Sequence, residues 1–255
     1  MLAEEEDPYL AGFIFLMVTT TGTLFLLTFL DRFAWLVDEI GLNRIILFAG
    51  ILMVFTGGIW AAFQKNIARM FGYTIIVING FLLISIGLLT ERSMNVYSSM
   101  MLCNSIAIGL WALGLKLLKN GPKSLELGSL EGIARQNLFP TIGILIAQFS
   151  VAGLPLLAGF PMMMTIFEEL ARSAQKITWI ILPGITGVWG AGIYSLFTFT
   201  KVSQEDINPQ SRTAITVVLI LIGIAALVWI GLFPQSIVAI MRLILNHYPR
   251  LITLS

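Results

Sequence analysis

The chain has 255 residues, of which 57% are hydrophobic and 11% are charged. Soluble domains typically carry about 25% charged residues, so the composition indicates a polytopic membrane protein. The net charge of +1 gives no electrostatic reason to expect a nucleic-acid partner. The single cysteine, Cys103, and the single histidine, His247, argue against a cysteine-based zinc site or a multi-histidine metal site within the chain. We therefore expect no metal, no cofactor and no redox centre in this chain.

Seven stretches are long and apolar enough to cross a bilayer, which takes about 20 residues per helix. They lie at about 9–30, 43–63, 72–90, 94–115, 140–167, 177–200 and 213–233. Barrel strands are about half this length, so the stretches predict helices. The expected fold is all-α, a single transmembrane bundle over 1–255 that contacts lipid. Lysine and arginine are divided almost equally between the two sides, so the membrane orientation stays open.

Two further segments are predicted to lie at the membrane surface. The longest polar connection, at about 116–139, is expected to contain a short interfacial helix over 124–135. Beyond a Gly-Leu-Phe-Pro break at 231–234, the run 236–248 mixes two basic residues with aliphatic ones. This run is too short to cross the bilayer, and its amphipathic pattern favours a helix along the interface.

The fifth span is interrupted by the sequence Phe149-Ser-Val-Ala-Gly-Leu-Pro-Leu-Leu-Ala-Gly-Phe-Pro161. Pro155 removes a backbone donor and clashes with the preceding turn, and Gly153 and Gly159 lower the cost of unwinding. With Pro161, these residues predict a discontinuous helix at about 149–161. Transporters place substrate or ion sites at such breaks, because unwound backbone lines a polar cavity there. A simple packing kink explains the motif equally well by itself.

Three segments carry a resemblance to a known family. Ser150-Val-Ala-Gly-Leu-Pro-Leu-Leu-Ala-Gly-Phe160 resembles the signature of the antiporter-like membrane subunits of respiratory complex I. This superfamily includes NADH-quinone oxidoreductase, multi-subunit cation/proton antiporters and membrane-bound hydrogenases. Gln64-Lys-Asn-Ile-Ala-Arg69-Met-Phe-Gly-Tyr73 is similar to a second family motif, and Gly231-Leu-Phe-Pro234 resembles the closing helix. The three matches occur in the family's order.

The resemblance implies inverted helical repeats with discontinuous helices, in an energy-transducing membrane, either a bacterial plasma membrane or an organelle inner membrane. It covers only the C-terminal half of such a subunit, and therefore implies a truncated one. Other membrane subunits of a multi-subunit respiratory complex are the implied partners. Oxidoreductase activity would then belong to those partners.

The resemblance also implies a relay of lysines and a glutamate that moves protons along the bundle. An ionisable residue inside a membrane is costly, so its presence or absence is informative. The resemblance implies a lysine at Thr20 and at Ala68, a histidine and a lysine near Leu102 and Ile106, and a lysine or glutamate at Met163. None of these five residues is ionisable. We therefore expect a degraded proton relay and a mainly structural or coupling role.

Several polar residues remain as candidates for a proton path. They are Thr20, Asn104, Gln148, Glu168 and Glu169. Hydroxyl and amide groups in membrane helices commonly bond neighbouring helices, and this explanation is favoured for the neutral members. The two glutamates precede Arg172 and Lys176 by about one or two helical turns, which favours an exposed, salt-bridged helix end.

Two other functions stay open. The chain could be half of a split proton or cation/proton antiporter subunit that works with a separately encoded N-terminal half. It could also be a free-standing carrier or assembly protein unrelated to electron transfer. The missing lysines argue against an intact pump, because a pump should retain at least one buried base of suitable pKa.

Overall fold

A computed structural model describes residues 7–119, 124–173, 175–201 and 214–237, which form a bundle of helices. The helices are α1 (Pro8–Arg32), α2 (Trp35–Ile40), α3 (Leu42–Ala62), α4 (Ile67–Leu88), α5 (Glu91–Lys119), α6 (Leu138–Val151), α7 (Gly159–Ser173), α8 (Gln175–Thr200) and α9 (Ala214–Leu232). Six of them, α1, α3, α4, α5, α8 and α9, contain stretches long and apolar enough to cross a membrane. The shorter helices α6 and α7 share the region of the predicted fifth span. The predicted all-α polytopic bundle is confirmed.

The start of α4 is fixed by local capping. The Asn66 side chain accepts hydrogen bonds from the backbone N–H groups of Ala68 (2.9 Å) and Arg69 (3.3 Å). These are amides that a helix cannot satisfy internally, so a cap of this kind sets the first residue. Hydropathy alone predicts this start at about residue 72, because Lys65 and Asn66 precede the helix and Arg69 lies in its first turn.

The described part of the connection between α5 and α6, residues 124–137, is packed into the bundle and is not an interfacial helix. It forms two 3₁₀ turns, Leu127–Leu130 and Ile133–Arg135, divided by Gly132 in the left-handed conformation (φ 74°). The apolar side chains of these turns are buried within the protein, which leaves little apolar surface for lipid. The described residues end at 237, so nearly all of the predicted helix over 236–248 lies outside them.

Glycines allow α3 to approach two neighbouring helices closely. A Cβ atom at Gly58 would lie 1.9 Å from the carbonyl oxygen of Gly184 in α8, and one at Gly50 would lie 2.7 Å from that of Gly80 in α4. Small residues at such crossings let backbones pack directly, which drives helix association in membranes. The contacts hold α4 and α8 in place, and both helices supply polar side chains to the interior.

Candidate functional site

The predicted break is present between α6 and α7. Helix α6 ends at Val151 and α7 begins at Gly159, so seven residues of irregular backbone separate them. Gly153 and Leu156 both have a φ of +75°, and Leu156 is 64% exposed. Pro155 lies in this irregular segment, and Pro161 lies in the first turn of α7, where a missing N–H group leaves no intrahelical bond unmade. Pro155 therefore lies in the middle of the break, and Pro161 lies just after it, at the start of α7.

Two glycines of the break are required by close contacts. A Cβ atom at Gly159 would lie 1.8 Å from the carbonyl oxygen of Ser150, so the start of α7 packs directly on the end of α6. A Cβ atom at Gly153 would lie 2.7 Å from Met163 Sδ. The break is therefore a tightly packed feature in which α7 folds back onto the turn that ends α6.

Helix α9 closes the other side of the break. A Cβ atom at Gly231 would lie 2.3 Å from the carbonyl oxygen of Leu156. The Gly-Leu-Phe-Pro segment and the signature at 150–160 are about 70 residues apart in the chain, yet they meet here. Two of the three sequence motifs thus belong to one structural unit.

The positions matched to the family's lysines hold neutral side chains in the structure. Met163 is buried beside Gly153 at the break, and Ala68 is buried in the first turn of α4. Thr20 is half-buried in α1, where its carbonyl oxygen accepts a 3.3 Å hydrogen bond from Thr23 Oγ1. In α5, Leu102 is exposed and Ile106 is half-buried. None of these side chains is an acidic or basic group.

A first neutral network joins α1, α4 and α5. Asn79 Nδ2 donates to Thr19 Oγ1 over 3.2 Å, and Tyr97 OH donates to Thr23 Oγ1 over 3.0 Å. Thr23 Oγ1 in turn donates to the Thr19 carbonyl oxygen over 2.7 Å. Sequence reasoning did not single out Thr23 or Tyr97, because a threonine or tyrosine in an apolar run carries no signal of its distant partner. The network bonds helices to one another and contains no charge.

A second neutral cluster lies where α4, α6 and α8 meet. Gln148 is fully buried and donates Nε2 to Met70 Sδ over 3.1 Å, while Ser195 Oγ lies 3.5 Å from the same sulfur. Gln148 Oε1 and the Nδ2 atom of buried Asn104 have no hydrogen-bond partner among the described residues. The cluster places a polar amide deep in the bundle, next to the end of α6 and therefore near the break.

The two glutamates at the end of α7 occupy different environments. Glu168 is exposed and pairs with Arg172 at 2.5 Å and with Arg92 at 3.1 Å. Glu169 is only 7% exposed, so the expectation of an exposed helix end is wrong for this residue. Its carboxylate accepts a 3.1 Å hydrogen bond from Thr90 Oγ1 and lies 3.5 Å from Arg92. The cluster ties α7 to the start of α5.

The second motif forms the joined ends of α3 and α4. Gln64, Arg69 and Tyr73 line a cleft of about 280 Å³, and the Tyr73 ring stacks on Trp60 at 6.3 Å. The segment before α6 is anchored to the same corner, since the Ile67 N–H group donates to the Leu125 carbonyl oxygen over 3.0 Å. These residues sit apart from the break, at one end of the bundle.

Helices of membrane-spanning length, a packed mid-chain break and a neutral polar interior define a polytopic membrane protein of the broken-helix class. The family model described as "NADH:quinone oxidoreductase/Mrp antiporter, TM" matches residues 2–190. The chain therefore belongs to this family, and it is an integral protein of an energy-transducing membrane.

Curated relatives are similar over most of this chain. NADH-quinone oxidoreductase subunit N 1 of Herpetosiphon aurantiacus is 26% identical over 194 residues, 74% of this chain and 39% of the relative. Subunit N of Rhodospirillum rubrum is 28% identical over 222 residues, 85% of this chain and 44% of the relative. The chain thus spans about two fifths of the length of these curated relatives.

Solved structures share the fold. Respiratory complex I from Thermus thermophilus with bound NADH contains a chain that matches with a TM-score of 0.72 and 20% identity, over 91% of this chain and 50% of that one. The Mrp complex from Dietzia sp. DQ12-45-1b matches with a TM-score of 0.70 and 11% identity, over 78% and 46%. At these identities the likeness establishes the fold and leaves the chemistry to the residues of this chain.

Proposed function

We propose that the chain acts as a membrane-arm subunit of a complex I-like or Mrp-like assembly and contributes packing and coupling rather than a proton relay of its own. One observation carries the proposal: the positions matched to the relay lysines are neutral. A side chain relays protons only when its pKa lies near the working pH. Alcohols, amides and thioethers do not meet this condition.

The distribution of charge within the bundle supports the same conclusion. Among the described residues, Glu169 is the one charged side chain that is buried, and it lies at the end of α7 beside Arg92. The cluster around Gln148, deeper in the bundle, is uncharged. A path of protonatable groups through the bundle would need charged residues at intermediate depth.

The implied partners are other membrane subunits. The matched structures are complexes of several subunits, including an archaeal membrane-bound sulfane sulfur reductase described as a respiratory membrane complex. Any electron transfer would take place in such partners. The break between α6 and α7 would then serve as a packed element that transmits movement or holds neighbouring helices.

The proposal is tested by removing the most buried polar group near the break. Gln148→Leu takes away an amide whose Oε1 atom has no partner among the described residues, so folding should be unaffected or slightly favoured. The assembly that contains the chain is purified, reconstituted in proteoliposomes and assayed for proton uptake per turnover. We expect no change from wild type. A lower proton yield at normal assembly and normal turnover would contradict the proposal.

The alternative function, half of a split antiporter subunit, is tested by identifying the polypeptides that co-purify with the chain after mild detergent extraction. Respiratory-type partner subunits support the assignment. A single partner that resembles the N-terminal half of an antiporter-like subunit, with cation-dependent proton flux in the purified pair, would instead establish half of a split antiporter.

A further inference from the structure

A second cleft, of about 400 Å³, lies at the opposite end of the α3–α4 pair. It is formed by the start of α3, the end of α4 and the end of α7, and it is separate from the break and from the Tyr73 cleft. Its mouth is polar, with Asn43 and Arg44, and its wall is apolar, with Leu47, Phe48, Ile51 and Leu88.

Arg44 brings an uncompensated positive charge to the mouth of this cleft. It is exposed, and within the described ranges it makes no ion pair and no side-chain hydrogen bond. On α7, which contributes to the cleft, Glu168 is paired with Arg92 and Arg172, and Glu169 is paired with Arg92. The guanidinium therefore remains available for a phosphate, which it matches with paired N–H donors.

The apolar wall runs from this charge towards the hydrocarbon region. Ile51 lies seven positions after Arg44, which corresponds to about 10 Å along a helix. Phe48 is 60% exposed, and Ile45 and Leu52 on the outer face of α3 are 58% and 50% exposed. Because α3 is long and apolar enough to cross a membrane, we place its first turn near the headgroups and the following turns against the acyl chains.

We propose that this cleft binds one anionic phospholipid. The phosphate lies against Arg44 and the Asn43 amide, and one acyl chain follows Leu47, Phe48 and Ile51. A polar mouth that carries the Arg44 guanidinium above an apolar wall matches the shape and charge of such a lipid, and basic pockets between membrane helices bind acidic headgroups. The inference depends on the chain being embedded in a bilayer and is independent of its role in proton movement.

Native mass spectrometry of the full chain in its detergent-extracted assembly tests the site. Phosphatidylglycerol and phosphatidylcholine are titrated separately, and retained lipid is counted. Arg44→Gln should weaken phosphatidylglycerol binding about fivefold, since an arginine near a charged headgroup contributes about 1 kcal/mol. The matched control is Lys65→Gln, an exposed cation at the other end of the α3–α4 pair, which should retain the wild-type affinity. An equal loss of phosphatidylglycerol affinity in both variants would overturn the proposal. Equal affinity of the wild type for phosphatidylglycerol and phosphatidylcholine would also overturn it.

A photocrosslink identifies the occupant directly. With p-benzoylphenylalanine in place of Phe48, irradiation in native membranes should yield adducts of phospholipid mass. The position is exposed and requires no repacking, so folding is retained. Crosslinks to another polypeptide would show that a protein covers this face and would overturn the proposal. Free glycerol phosphate that competes as well as the intact lipid would show that the acyl wall contributes nothing.

Discussion

The packing of the break gives the sharpest stability test, through the substitution Gly159→Ala. The added Cβ atom would lie 1.8 Å from the Ser150 carbonyl oxygen, whereas ordinary contacts are 3.4–4 Å, so backbone must move by about 1.5 Å or more. Overpacking of this kind typically costs about 1–3 kcal/mol. The obstacle is a carbonyl of α6 and not the end of a flexible side chain, so we expect the upper part of this range.

The measurement is thermal unfolding in detergent, with Gly22→Ala as the matched control. Gly22 lies inside α1, and a Cβ atom there would meet nothing within 4 Å. Alanine is a better helix former than glycine by about 1 kcal/mol, so the control should be as stable as wild type or more so. If Gly159→Ala unfolds at the same temperature as Gly22→Ala, the direct packing of α7 on α6 is refuted.

Two further predictions concern polar contacts outside the break. Tyr97→Phe removes the hydrogen bond to Thr23 Oγ1 and should lower the free energy of unfolding by about 0.5–1.5 kcal/mol, measured by denaturant titration. The control is Ser105→Ala, which loses only a hydrogen bond within its own helix and should lower the free energy of unfolding by less. The pKa of Asp7 is lowered from its usual 3.8, chiefly by a hydrogen bond from the Lys116 ammonium and to a smaller extent by one from the Tyr9 N–H group. A lowered pKa stabilises the fold at pH values above the usual one, and this stabilisation is lost as the pH falls through the lowered value. Acidification below about pH 4 should therefore destabilise wild type more than Asp7→Asn, and parallel pH profiles would contradict the assignment.

The break was predictable from sequence because its cause is local. Gly153 and Pro155 act on the backbone of their own segment, so their spacing is visible in a single chain. The start of α4 also has a local cause, yet hydropathy predicts it at about residue 72, five residues after the observed start at Ile67. Hydropathy does not register an asparagine cap, whereas the Asn66 hydrogen bonds do.

The interior contacts were not predictable, because each depends on residues far apart in the chain. Gln148 meets Met70 across 78 residues, and Ser195 meets the same sulfur across 125 residues. Glu169 shows the same limitation. The nearby Arg172 favoured an exposed ion pair, but burial of this carboxylate follows from Thr90 and Arg92, which lie 79 and 77 residues earlier.

The origin of these contacts explains how the break is held without charged groups. The break is held by close contacts at Gly153 with the Met163 side chain and at Gly159 and Gly231 with backbone carbonyls, and none of these contacts involves a charge. A lysine buried at Met163 would need a partner or a hydrated cavity, since an unpaired charge inside a membrane costs several kcal/mol. A neutral side chain at that position removes this requirement and leaves the glycine contacts intact. The packing of the break therefore does not depend on an ionisable group at position 163.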